Sequence, residues 1–149
     1  MHRALGVVAL ALLASCALPV PVPRARGDRD YEKKAVNTAE AVLSAVSTAH
    51  LAATASLHGK AFGAYLDAVV TDAEDDAEGA AATFLAIQSP SERSDGTRRD
   101  LDGILGQATS ALADLRTAVR RGDSGAIRTV VTTLGASRTR LEGFEKEHG

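Results

Sequence analysis

Five carboxylates fall within seven residues, at Asp72, Glu74, Asp75, Asp76 and Glu78. On a helix, Asp72, Asp75 and Asp76 share one face, because residues three and four apart are neighbours there. Such a face could attract a divalent cation or a basic partner. The run lacks the glycine turn and alternating ligand spacing of a calcium loop, and a rigid helix cannot wrap a cation with six or more oxygens. A solvated acidic face is the plainer reading of such a charge run, and these three aspartates are kept as the candidate cation or partner face. Glu145-x-x-His148 is the one Glu-x-x-His in the chain. A di-iron site in a helical bundle needs that motif on two helices, with further carboxylates from the other two. His50 and His58 are eight residues apart, about 80° around a helix, and His50 reads as a partly buried residue beside a core seam. The chain has one cysteine, Cys16, and one methionine, Met1. It therefore offers neither a Cys-x-x-Cys-His haem site nor a methionine-bearing copper site after removal of a leader. No serine stands in a nucleophile-elbow context and no glycine-rich loop follows a strand. The expectation is a protein that is not an enzyme and carries no cofactor or metal.

The elements that must position these groups are helical. Ala35, Ala39, Val42, Val46, Ala49 and Ala53 recur at spacings of four and three behind Asp30, a good N-cap residue, and Gly59 stands where a helix would end. A second helix is read from Lys60 to Gln88, with the stripe Phe62, Leu66, Val69, Ala73, Ala77, Ala80, Phe84 and Ile87. A strict heptad would bury Asp76; a slip between Ala73 and Ala77 keeps that unpaired carboxylate in water. Ser89-Pro90 ends this helix, residues 89–97 form a loop, and Thr97-x-x-Asp100 resembles a capping box. Leu101, Leu105, Ala108, Leu112, Leu115 and Val119 make the third seam. Gly122 and Asp123 then close one helix and open the last, which carries Ile127, Val130, Val131, Leu134, Leu141 and Phe144 and frays near His148. No alternating β-branched strand is present. The fold class expected is all-α, an antiparallel up-down four-helix bundle. Its alternative keeps residues 30–88 as one helix kinked at Gly59 and Gly63.

Charge sets limits on partners. The chain has 17 basic and 19 acidic residues, so no positive balance favours nucleic acid. The acidic excess lies in residues 31–90, the first helical hairpin. Arg-Gly-Asp occurs at Arg26-Gly27-Asp28 and Arg121-Gly122-Asp123. It resembles an integrin-recognition tripeptide, but at the second copy helix-end chemistry accounts for all three residues: a cation at a C-terminus, a glycine beyond it, and an N-cap.

The start of the chain reads as an export signal: Met1 and Arg3, an apolar run from Ala4 to Ala14, then Leu13-Ala14-Ser15-Cys16. Eleven apolar residues span only ~16 Å as a helix, against a hydrocarbon core of ~30 Å, so this run is too short to be a membrane span. The last four residues resemble the lipobox of bacterial lipoproteins. That resemblance implies cleavage between Ser15 and Cys16, a diacylglycerol on the Cys16 sulfur, and anchorage at the extracytoplasmic face of the cell membrane. Ordinary signal cleavage after Ala17, which would release a cysteine-free protein, is the alternative. Pro19, Pro21 and Pro23, followed by Arg24, Arg26 and Arg29, favour an extended tether. The organisation expected is therefore a signal at 1–15, a lipidated cysteine and tether at 16–30, and a bundle at 31–149. The body resembles small alanine-rich helical lipoproteins of high-GC bacteria. The function expected is a membrane-anchored envelope lipoprotein whose non-catalytic bundle interacts with an envelope protein or with itself, or serves as structure. The alternative is an extracytoplasmic small-ligand or cation carrier using the bundle interior or the acidic run.

Overall fold

A computed structural model describes residues 25–61 and 63–149. Four helices follow in order, α1 (Asp28–Leu57), α2 (Gly63–Leu85), α3 (Glu92–Arg120) and α4 (Ser124–His148), with no strand among the described residues. The cleavage site at Ser15 and Cys16, the prolines of the tether and Phe62 lie outside the described residues.

The helix ends show why the chain turns where it does. Gly59 has φ +68°, and its N–H donates to Ser56 O while the Lys60 N–H reaches back to Ala55 O. This paired arrangement needs a left-handed residue at its centre, which glycine adopts without a Cβ clash. The first hairpin is thus two helices, and the single kinked helix over 30–88 does not form. Gly122 (φ +63°) repeats the motif after α3, with Gly122 N–H on Val119 O and Asp123 N–H on Ala118 O. The Asp123 carboxylate then accepts from Ala126 N–H at 2.9 Å and opens α4.

Four helix boundaries differ from those read in the sequence. The first helix starts at Asp28, so Asp30 is not its N-cap but a first-turn residue, whose carboxylate accepts from Arg26 N–H at 3.0 Å. Two acids in the first turn suit the positive end of the helix, which extends the domain three residues into the segment read as tether. The third helix starts at Glu92, not near Thr97. Ser91 caps it by accepting from Ser94 N–H, and Thr97 is buried inside the helix. The second helix is shorter than 60–88 at both ends. At its C-terminal end Arg98 donates to Leu85 O and Ile87 O, carbonyls that have no partner further along a helix. Finally, α4 stays helical to His148 instead of fraying. The His148 ring stacks on Phe144 at 4.3 Å and its Nδ1 lies 3.2 Å from Glu32 on α1.

Packing puts α1 and α3 at the centre, each touching the other three helices, whereas α2 and α4 do not meet. Six of the nine buried residues of α1 are alanines, including Ala35, Ala39, Ala49 and Ala53 at zero exposure. Small side chains let helix axes approach closely, and Leu101, Leu105, Leu112 and Leu115 of α3 fill the space opposite. No described helix is long and apolar enough to cross a membrane.

Candidate functional site

The acidic run sits on α2, and the structure divides it. Asp72, Asp75 and Asp76 are all exposed. The core stripe runs Leu66, Val70, Ala73 and Ala77 at four, three and four, so Asp76 stays out of the core because Val70 is buried in place of Val69, without the slip expected between Ala73 and Ala77. Glu74 faces the opposite way. Its side chain is 7% exposed and is met by Arg116 of α3, whose Nη2 donates to Oε1 at 3.1 Å while Nε lies against Oε2. Glu74 first, then Glu78 and Asp75, hold the Arg116 guanidinium more firmly protonated than usual. Arg120, one turn on, stands 3.4 Å from Asp67. Two arginines of α3 thus neutralise the inward side of the acidic helix, which pins α2 to α3. Among the described residues no three histidine, cysteine, aspartate or glutamate side chains form a group able to hold a metal ion. The three exposed aspartates do not converge.

Glu74 escaped the sequence reading, although it falls on the stripe Leu66, Val70, Ala73, Ala77, Ala81 and Phe84 at helical spacing. Arg116 lies four residues after the buried Leu112. A carboxylate and an arginine, each on the edge of its own seam, were the signal.

A second polar cluster joins the helix ends where α1 and α3 begin and α2 finishes. One Asp28 carboxylate oxygen accepts from the hydroxyls of Ser91 at 2.5 Å and Ser94 at 2.7 Å. These hydroxyl bonds hold the Asp28 carboxyl below its ordinary range. Ser89 donates to Asp95. Beneath them lies Tyr31, fully buried, with its ring 5.2 Å from that of Phe84. Among the described residues its hydroxyl makes no hydrogen bond of good geometry, because the Arg98 donors nearby are directed at Leu85 O and Ile87 O. Burial raises the Tyr31 phenol above its usual range. These hydroxyls and carboxylates hold helix ends together.

The histidines stand apart from one another. His50 is half-buried on α1, and its Nε2 lies 3.9 Å from where a Cβ on Gly135 of α4 would sit. Burial first, and the Arg138 charge second, hold it below its ordinary value. Glu145 is raised by burial, with Glu40 and Glu142 adding repulsion, and its Oε1 has no partner among the described residues. The Glu145-x-x-His148 pair is split, since His148 turns to Glu32.

A surface groove runs along the seam of α3 and α4. Two contiguous hollows of about 720 Å³ and 580 Å³ share Gly103, Gln107 and Arg140. Gly103, Gly106 and Gly143 line it, and among the described residues nothing comes within 4 Å of a Cβ placed on any of them. Ser137, only 3% exposed, also lines it. The chain matches no protein-family model, and comparison with curated proteins and with solved structures finds no relative.

Proposed function

We propose that this protein is a lipid-anchored envelope lipoprotein whose four-helix bundle is a non-catalytic interaction module held at the extracytoplasmic face of the membrane. The observation that carries the reading is Leu13-Ala14-Ser15-Cys16, with the lone cysteine closing an apolar run too short to span a bilayer. The position of α1 supports it. With the first helix starting at Asp28, residues 17–27 form a spacer that reaches about 34 Å if extended at ~3.1 Å per residue. Lipid on Cys16 would then tether the end of the bundle where α1 and α3 begin, leaving the tight turns at Gly59 and Gly122 on the far side. A diacylated or triacylated cysteine carries two or three chains, well above the marginal hold of one.

Replacement of Cys16 by serine tests the reading. Wild-type protein is expected in the membrane fraction with an acylated N-terminal peptide by mass spectrometry, and Cys16→Ser as uncut precursor or in the medium. A Cys16→Ser protein that is still cut before residue 16 and still held in membranes would overturn the lipid anchor.

A further inference from the structure

We infer that the outer ridge of α3 is a self-association surface, on which a second copy of this chain packs its own α3 antiparallel across a twofold axis. The inference rests on the interaction-module reading and names the partner. The ridge carries Arg99, Gly103, Gly106, Ser110 and Asp114, all exposed and all within one face of the helix. Glycine in a helix interior is unfavourable, and among the described residues nothing requires it here, because no atom lies within 4 Å of a Cβ placed on Gly103 or Gly106. What two glycines on an exposed ridge permit is the close approach of another helix.

The charges select the occupant and its direction. Arg99 and Asp114 sit fifteen residues apart, about 22 Å along the helix, at either end of the small-residue stretch. Among the described residues neither has an ion-pair partner. An antiparallel second copy centred between Gly106 and Gln107 sets Arg99 opposite Asp114, Gly103 opposite Ser110, and Gly106 opposite Gln107. The same pairs recur on the other side of the axis, as an isologous contact requires. A parallel arrangement would set Arg99 beside Arg99 and Asp114 beside Asp114, which repel.

Ser137 supplies an independent observation. The residue is 3% exposed, lines the groove beside this ridge, and has no side-chain hydrogen-bond partner among the described residues. Its hydroxyl is left to water at the groove, where a polar side chain arriving from outside can bond to it. Gln107 of the second copy, close to the axis, offers amide donors for that bond. Because the twofold lies across the helices, the two spacers leave from opposite ends of the pair. Both reach one bilayer when the pair lies along its surface.

The test uses the full chain purified in detergent, with mass measured by light scattering corrected for the micelle. Wild type is expected to be dimeric. Arg99→Asp and Asp114→Arg alone should each weaken the dimer at least tenfold, and the double exchange Arg99→Asp/Asp114→Arg should restore it, since the swapped charges again face each other. Gly106→Leu should give monomer with undiminished helix content by circular dichroism, which separates a blocked surface from a damaged fold. In membranes, with Cys16 blocked by lipid, Gly106→Cys should form a disulfide-linked dimer on oxidation and Asp72→Cys should not. A monomeric wild type, a double exchange that fails to restore, or cross-linking through residue 72 in place of 106 would overturn the inference. The Cys16→Ser fractionation is read independently, so a monomer that remains membrane-bound sinks the dimer and spares the anchor.

Discussion

Replacing Ala49 by leucine sets two physical effects of similar size against each other. The added carbons carry a transfer gain of about 2 kcal/mol at roughly 0.8 kcal/mol per buried methylene, so by hydrophobicity alone the variant should be more stable. Ala49 has zero exposure, however, and it lies on a helix that packs against all three others. Forcing methylenes into a close-packed interior typically costs about 1–3 kcal/mol net. Overpacking should win. With a urea m-value of about 2 kcal/mol per molar, the unfolding midpoint should fall by roughly 0.5–1.5 M. The assay is urea denaturation followed by circular dichroism, with two controls. Ala41→Leu, on the exposed side of α1, should stay within about 0.5 kcal/mol of wild type. Leu112→Ala, at zero exposure on α3, should cost about 2–5 kcal/mol. If Ala49→Leu leaves the midpoint unchanged or raises it, α1 is not wedged among its neighbours and the packing account fails.

Tyr31→Phe should be neutral or stabilising by up to about 1 kcal/mol, because it removes a buried hydroxyl that has no well-formed hydrogen bond; a clear loss in thermal denaturation would mean that the hydroxyl is bonded to Arg98 after all. His50 and Glu145 should give opposite pH responses. The folded-state value of His50 is depressed below its ordinary 6.5, so the unfolded chain takes up a proton first and stability should fall as pH drops through about 6.5, a dependence that His50→Gln should lessen. The folded-state value of Glu145 is raised above its ordinary 4.5, so the stability its neutral form contributes should fade as pH rises past that range, and Glu145→Gln should melt higher than wild type at pH 7. Converting Asp72, Asp75 and Asp76 together to asparagine should leave the fold intact and the melting temperature unchanged or slightly higher, since exposed like charges are relieved; a rise in wild-type melting temperature with millimolar Ca²⁺ that the triple variant lacks would show a cation site instead.

Periodicity by itself determined the four helices and the core faces of α1 and α3, whereas on α2 Val70 and Ala81 are buried where the stripe named Val69 and Ala80. Leu101, Leu105, Leu112 and Leu115 on α3, and Ala35, Ala39, Val42, Val46, Ala49 and Ala53 on α1, are all buried as their spacing of three and four requires. It also placed Asp76 in water, because an unpaired carboxylate in the core is too costly for the alternative register. The turns were legible at Gly59 and Gly122, where a left-handed residue is a local demand of the backbone. Contacts between distant residues decided the rest. Thr97 looked like a helix start by local pattern, yet Ser91 caps α3 and is itself fastened by Asp28, which lies 63 residues earlier. Glu74 resembled one more solvated acid until Arg116, 42 residues away, made its burial affordable. His148 belonged to a fraying end until Phe144 and Glu32 held it. Local propensity is a property of neighbouring residues, and a sequence displays it directly. A buried charge or a fixed helix end depends on a partner brought near only when the helices pack, so its location is written in the sequence but becomes visible only in the fold.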